Sequence, residues 1–296
     1  MRIIAGVAKG RPLASVADAT RPTSDRAREA IFSSLTSEFG EFAGLNFLDL
    51  FAGSGAIGLE AQSRGASIVH AVEKDFGAQR TINANIEIVA ARLTGTMVLS
   101  RAEILAAICS QRPTIAVAGT HGKTTTTSLL VRIFTHAGLD PNFIVGGDVL
   151  NESTGARWTN SQWTIVEADE SDGTHLQLPL TGSILTNIDS DHLDHFNDLA
   201  GIAESFAIYL SQIQGPRIVC IDDPLIRNLP HLGDCCTYGF DSTADFRCDD
   251  VIATDGRTEF VITDQRGDGL SVAVSMSLRG MHNVLNVTGA VAMAVS

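Results

Sequence analysis

The residues whose spacing carries the most chemistry are Gly119-Thr120-His121-Gly122-Lys123-Thr124. A predicted strand precedes them and a predicted helix follows. Glycines there let main-chain N–H groups turn toward an anion, and the helix N-terminus adds partial positive charge. In that arrangement Lys123 contacts the outer phosphates of a nucleotide and the Thr124 hydroxyl binds Mg²⁺. The strict phosphate-loop pattern has a glycine where this chain has Val117, so the loop is a shortened variant. Lysine occurs only at positions 9, 74 and 123. The one lysine after position 74 therefore stands inside the glycine loop, where a compact point charge is needed.

Three further groups of residues fit the same chemistry. Glu167-Ala168-Asp169-Glu170-Ser171-Asp172 follows a β-branched run, and acids at a strand's C-terminal end face the ligand crevice of α/β proteins. A hard cation there takes oxygen ligands, with Glu167 the first choice. Asn187-Ile188-Asp189-Ser190-Asp191-His192 also follows a strand, and His192 is a candidate for a second divalent ion or a phosphate oxygen. His282-Asn283-x-x-Asn286 lies at a helix start, where Asn283 reads either as a purine contact or, taken alone, as a helix cap. Upstream, Gly53-x-Gly55-x-x-Gly58 follows the strand containing Asp49, and Glu73 stands twenty residues after Gly53. That spacing suits a carboxylate accepting hydrogen bonds from ribose hydroxyls, although the glycine pattern by itself is weak.

The elements that must hold these residues follow from periodicity. In the first segment, Thr23 or Ser24 caps a helix that places Ala27, Ala30, Ile31 and Leu35 on one side. Strands are predicted at 46–51 and 67–73, with helices at 56–64 and 77–88. This β-α-β-α order begins a doubly wound parallel sheet. The second segment opens with a helix at 101–109 and a strand at 114–118. Beyond the glycine loop, Leu129, Leu130, Ile133, Phe134 and Ala137 recur at helical spacing. Strands follow at 143–145, 164–168, 183–186 and 217–221. Alternating runs at 259–263 and 270–275 predict added antiparallel strands, and a last helix starts near His282. Domains are expected at 1–92 and 98–296, joined by a short connection.

Composition removes several function classes. Apolar residues make up 44% of the 296, enough for a sizeable core. No run approaches about 18 consecutive apolar residues, so no membrane span is expected, and the first residues carry no secretory signal. The five cysteines are odd in number and form no C-x-x-C, which fits buried thiols in a reducing cytoplasm. Net charge is −13, with ten basic and ten acidic side chains up to Arg92 and eleven against twenty-four after it. An acidic body repels a nucleic-acid backbone, and only the first thirty or so residues lean basic.

Taken together, 98–296 resembles the central ATP-binding domain of the Mur ligases, nearest to the alanine-adding type. The resemblance rests on Ser100-Arg101-Ala102-Glu103, on 116–126 with the glycine loop, on 167–172, on 186–194 and on His282-Asn283-Val284-Leu285-Asn286. His121 before Gly122 points to the alanine-adding ligase or to the one that recycles murein tripeptide. The resemblance implies ATP and Mg²⁺ as cofactors. The ATP contacts would come from Gly119, Thr120, His121, Gly122, Lys123, Thr124, Thr125, His282, Asn283 and Asn286. The metal ligands would be Thr124, Glu167 and His192, with Lys123, Glu167 and His192 catalytic. It implies a cytoplasmic reaction of peptidoglycan precursor synthesis that joins L-alanine to UDP-N-acetylmuramate through an acyl phosphate. The family's UDP-binding and C-terminal domains are not recognisable here, so nucleotide binding without efficient ligation is expected.

Residues 1–90 resemble the 16S rRNA guanine-N2 methyltransferases of the RsmD type. The matching strings are Met1-Arg2-Ile3-Ile4-Ala5-Gly6, Thr20-Arg21-Pro22-Thr23-Ser24-Asp25-Arg26, 49–55 and Val72-Glu73-Lys74-Asp75. That resemblance implies a partial Rossmann-like half-domain in which Asp49, Gly53, Gly55 and Glu73 bind S-adenosylmethionine, with rRNA as partner. The catalytic Asp-Pro-Pro-Tyr loop is missing, since Asp223-Pro224 lacks the second proline and the aromatic. A truncated methyltransferase and a non-catalytic nucleotide-binding chimera are the alternatives to the ligase reading.

Overall fold

Short polar caps and β-branched runs set the elements in both halves of the chain. The computed structural model describes residues 1–16, 23–89, 96–147, 149, 154–189, 199–230, 232–254, 256–267 and 269–296. These divide into two compact units, Met1–Leu105 and Ala106–Ser296.

In the first unit, Ser24 caps α1 (Asp25–Phe39), its Oγ accepting from the Ala27 amide at 3.2 Å. The predicted apolar side is corrected: Ala27, Ala30 and Ile31 are exposed, and Arg28 and Phe32 are the buried residues. Phe32 prevails because its ring fills a cluster with Phe42, Ala61, Ala66 and Val69, and Arg64 lies over it at 4.7 Å. There follow β1 (Asn46–Asp49), α2 (Ala56–Ser63), β2 (Ile68–Val72), α3 (Phe76–Ile88) and β3 (Thr96–Leu99). Sequence pattern predicts two strands here; the third, β3, extends the parallel sheet to the order β1-β2-β3. Asp75 caps α3 by accepting from the Ala78 amide at 2.7 Å.

The N-terminal segment is fastened to α2 by a buried acid. Glu60 is fully buried, and its oxygens accept from the Ile4 amide at 2.7 Å, the Ala5 amide at 2.9 Å and Arg64 Nε at 2.9 Å. Gly6 then passes so close to α2 that a Cβ would stand 1.7 Å from the Ser63 carbonyl oxygen. Only glycine fits that crossing.

Helix α4 (Arg101–Cys109) spans the boundary between the units. Ser100 and Glu103 form a reciprocal capping box at 3.1 and 2.6 Å, and those bonds hold the Glu103 carboxyl below its ordinary pKa.

The second unit is an α/β sheet with antiparallel additions. Its elements are β4 (Thr114–Ala118), α5 (Lys123–His136), β5 (Asn142–Ile144), β6 (Ala156–Arg157), β7 (Thr164–Glu167), β8 (Gly182–Leu185), α6 (Leu199–Ser211), β9 (Arg217–Cys220), α7 (Pro224–Arg227), β10 (Cys236–Gly239), β11 (Phe246–Thr254), β12 (Arg257–Asp264), β13 (Ser271–Met276) and α8 (Met281–Ala294). Among the described residues the strands order as β13-β12-β11-β10-β9-β8-β4-β7-β5-β6. Pairings from β11 through β5 are parallel, while β13, β12 and β6 join antiparallel. The fold class read from the sequence, a parallel sheet with antiparallel strands added, is the one observed. Strand β4 is buried at every residue, as a central parallel strand must be. Its neighbours β7 and β8 lie on opposite sides, so the connections diverge at its C-terminal end. Ligand crevices form at such a point.

Replacing Glu60 with alanine leaves two half-buried main-chain amides without an acceptor. Stability of the first unit should fall by about 3 kcal/mol, with hydrogen exchange at the Ile4 and Ala5 amides accelerated to match. Unchanged protection of those two amides would remove Glu60 from its anchoring role.

Candidate nucleotide site

The glycine loop leaves β4 at Gly119 and enters α5 at Lys123. Gly119 has φ +118° and Gly122 φ +82°, conformations that side chains disfavour. Sterics reinforce the requirement. A Cβ on Gly119 would lie 2.3 Å from Thr186 Oγ1, and one on Gly122 would lie 2.6 Å from Asn286 Oδ1.

The loop is clamped to the segment that follows β8. Thr120 N–H donates to the Asn187 carbonyl at 3.0 Å, and the His121 amide donates to Asn187 Oδ1 at 2.8 Å. In return, Asn187 Nδ2 and Thr186 Oγ1 donate to the His121 carbonyl at 2.9 and 2.7 Å. The Asp189 amide donates to Thr120 Oγ1 at 2.9 Å, and His121 Nε2 sits 3.6 Å from Asp189 Oδ2. These bonds satisfy the loop's own polar groups and leave the N-terminus of α5 pointing outward.

Lys123 does not extend away from this loop. Its Nζ donates to the Gly119 carbonyl at 2.6 Å and the Thr120 carbonyl at 3.2 Å. The same ammonium meets Glu170 Oε1 at 3.1 Å and Oε2 at 3.0 Å. The lysine side chain is 16% exposed and that of Glu170 only 2%. The acid that meets the ammonium is thus Glu170, three residues beyond Glu167, the acid expected to hold the metal.

Glu167 ends β7, in register with Val117, one residue before the end of β4. Its Oε1 accepts from the Gly146 amide at 3.0 Å. A Cβ on Gly146 would approach Glu167 Oε2 to 3.1 Å, and one on Gly147 would approach Thr124 Cγ2 to 3.2 Å. Two successive glycines therefore stand between Glu167 and Thr124, whose carboxylate and hydroxyl are of the types that suit a hard cation. No group of three acidic, histidine or cysteine ligands occurs among the described residues. His192 lies outside those residues.

A cavity of about 510 Å³ opens on the other side of the loop. His121 and Gly122 form its floor, with Thr186 and Asn187 beside them and His282, Leu285 and Asn286 of α8 opposite. Asp222 and Asp223, after β9, close a further wall with Tyr238 and Cys220. Both acids are bound to main chain. Asp223 accepts from the amides of Ile188, Leu225 and Ile226, and Asp222 from those of Phe240 and Asp241. Burial pushes the Cys220 thiol up to about 12, so it is a neutral wall. Asn283 neither caps α8 nor lines the cavity. Its Nδ2 donates back to the Arg279 carbonyl at 2.7 Å, and its Oδ1 accepts from Asn286 at 3.2 Å, because Gly280 already occupies the cap position. Thr125 follows on α5, half-buried and away from the cavity lining.

In the first unit, the turn after β1 brings Gly53 and Glu73 together. Glu73 Oε2 accepts from the Gly53 amide at 2.7 Å, and Oε1 from the Lys74 and Asp75 amides at 2.8 and 3.0 Å. Gly55, at φ +77°, sits against Ile82. Asp49 accepts from the Phe51 amide, while burial raises its carboxyl pKa. The hydrogen bonds described for the Glu73 carboxylate tie this turn, through Gly53, to the turn between β2 and α3, through Lys74 and Asp75.

Sequence reasoning did not single out Glu170, Thr186, Asn187 or the pair Gly146-Gly147 for roles. A signal existed for Asp223: an acid before proline marks a helix start, which α7 confirms. For Glu170 no local signal exists, since four acids crowd 167–172 and only the fold selects one.

Fold and site together define an α/β protein with a glycine-rich loop at the switch point of its sheet. Residues 117–294 match the family described as Mur ligase middle domain, and the chain belongs to that family. Residues 1–117 match the family described as conserved hypothetical protein 95. The UDP-N-acetylmuramate--L-alanine ligase of Xylella fastidiosa strain M12 is 40% identical over 211 residues, covering 70% of this chain and 44% of that protein. The chain thus spans under half the length of that relative. The UDP-N-acetylmuramate-alanine ligase of Thermotoga maritima shares the fold with a TM-score of 0.61 at 21% identity, over 84% of this chain and 64% of that one. A Thermotoga maritima MurF ligase solved in complex with ADP does so at 0.61 and 16%, over 86% and 60%.

Gly122→Ala combines an unfavourable φ with a clash against Asn286, whereas Gly138, at φ +78°, has nothing within 4 Å of an added Cβ. Urea unfolding should show Gly138→Ala costing about 1 kcal/mol and Gly122→Ala at least about 1 kcal/mol more. Equal losses would mean that Asn286 imposes no constraint on the loop.

Proposed function

We propose that the second unit binds ATP with Mg²⁺ and serves an amide ligase that joins L-alanine to UDP-N-acetylmuramate. The observation that carries this reading is the loop 119–124, locked by Thr186 and Asn187 with its glycines against Thr186 and Asn286 and its lysine held at its mouth. Membership in the Mur ligase middle domain family and the 40% identity to an alanine ligase support it.

The phosphates would lie along the N-terminus of α5, with the nucleoside directed into the cavity walled by His282, Leu285 and Asn286. Lys123 would neutralise charge on the terminal phosphoryl group as a muramyl carboxylate oxygen attacks its phosphorus and the bond to ADP breaks. The products of that step are an acyl phosphate and ADP. The L-alanine amine then attacks the acyl carbon, loses a proton, and inorganic phosphate leaves. Thr124 and Glu167, with His192, would hold a divalent ion, and that ion would supply charge neutralisation at the phosphates. The chain's own residues chiefly position and neutralise. Among the described residues no helix is long and apolar enough to cross a membrane, and the proposed substrates are small polar molecules. We assign no ligand to the first unit, where the hydrogen bonds described for the Glu73 carboxylate all come from main-chain amides.

Thermal unfolding with adenine nucleotide tests the proposal. ATP with Mg²⁺ at a hundredfold over its dissociation constant should stabilise the chain by about 2.7 kcal/mol, and Lys123→Ala should abolish that gain. An identical shift in the variant, or none in the natural sequence, would refute it.

A further inference from the structure

The mechanism above uses Lys123 but not its partner. We propose that Glu170 is a positioning residue that holds the phosphate lysine withdrawn against its own loop and thereby sets how strongly terminal phosphates are bound. The inference rests on the reading of 119–124 as a triphosphate loop.

The geometry is specific. An ammonium has three protons, and here they face four acceptors: the Gly119 and Thr120 carbonyls and both Glu170 oxygens, all within 3.2 Å. No N–H is left over, so a phosphate oxygen can bind Lys123 only by displacing one of these acceptors. Among the described residues the Glu170 carboxylate has no hydrogen-bond partner other than Lys123. Buried and otherwise unpaired, it cannot release the ammonium wholly without leaving an uncompensated charge.

Glu170 is also fixed in place. Its carbonyl accepts from the Gly173 amide at 3.1 Å, and the neighbouring Asp169 accepts from the Ser171 amide through its side chain and from the His175 amide through its carbonyl. Asp172 accepts from the Thr174 amide at 3.1 Å, and Thr174 and His175 are buried. The turn is cinched at both ends, so the carboxylate stays while the lysine pivots. A ligand must therefore bring enough negative charge to share the ammonium with Glu170. A triphosphate does so; a monophosphate, whose single group sits nearer the nucleoside end, never reaches it. Glu170 thus grades ligands by their terminal phosphates.

Isothermal titration of the full chain with ATP-Mg²⁺ and, separately, with AMP tests this. Glu170→Gln keeps the volume and one acceptor but removes the charge. ATP should then bind about tenfold tighter, the difference between a charged and a neutral acceptor on the same ammonium, while AMP affinity stays within twofold. Glu170→Asp draws the charge back by one methylene and should tighten ATP in the same direction by less, which serves should the glutamine variant fail to fold. Unchanged or weakened ATP binding, or equal shifts for ATP and AMP, would overturn the proposal and leave Glu170 a structural anion. If the natural sequence binds no ATP and Lys123→Ala changes nothing, it is the loop assignment that fails instead.

Discussion

The structure depends on a short run of backbone held in a conformation it would not choose alone. Gly119 and Gly122 both have positive φ, and the peptide groups between them are fixed by Asn187, which exchanges two amide hydrogen bonds with His121. This resembles a strand pairing rendered by a side chain. It satisfies the groups facing the sheet and leaves those facing outward for an anion. Strain of this kind persists only where surrounding structure over-determines it. Here Thr186 and Asn286 leave no room for a β-carbon at either glycine. Local backbone, sheet order and α8 thus converge on one loop.

Buried and half-buried acids recur as the devices that fix main chain in both units. Glu60 ties down the N-terminal segment, Glu73 closes the turn at Gly53, and Asp222 and Asp223 shape the turns after β9 and β10. Each accepts two or more amide hydrogen bonds, which is how a carboxylate is kept inside a protein. Glu170 departs from this pattern, since its side chain faces an ammonium and no amide. That contrast separates an acid that serves the fold from one placed to act on the site.

Much of this was legible in residue order. The run Thr114–Ala118, the glycines and the amphipathic run after them predict strand, loop and helix, and β4 and α5 occupy those places. Alternation at 259–263 and 270–275 correctly announces β12 and β13. What could not be read is what the sheet decides. Strand β8 beside β4 brings Thr186 and Asn187 to the loop across more than sixty residues, and no periodicity reports strand order. The helix carrying Phe32 shows a second limit. Its apolar residues do not form one clean stripe, so the Phe32 ring and the buried Arg28, not the count of small apolar side chains, set the inward face. Asn283 shows a third: a residue suited to capping is excluded because Gly280 takes the cap three residues earlier.

The proposed function requires the amides of 119–124, Lys123, Thr124 and Glu167 to surround one polyphosphate. A crystal structure of the chain with a non-hydrolysable ATP analogue and Mg²⁺ tests it most directly. The account predicts the terminal phosphate within hydrogen-bond distance of Lys123 Nζ and the metal bound by Thr124 Oγ1 and Glu167. A nucleotide seated elsewhere, or phosphates pointing away from α5, would contradict it.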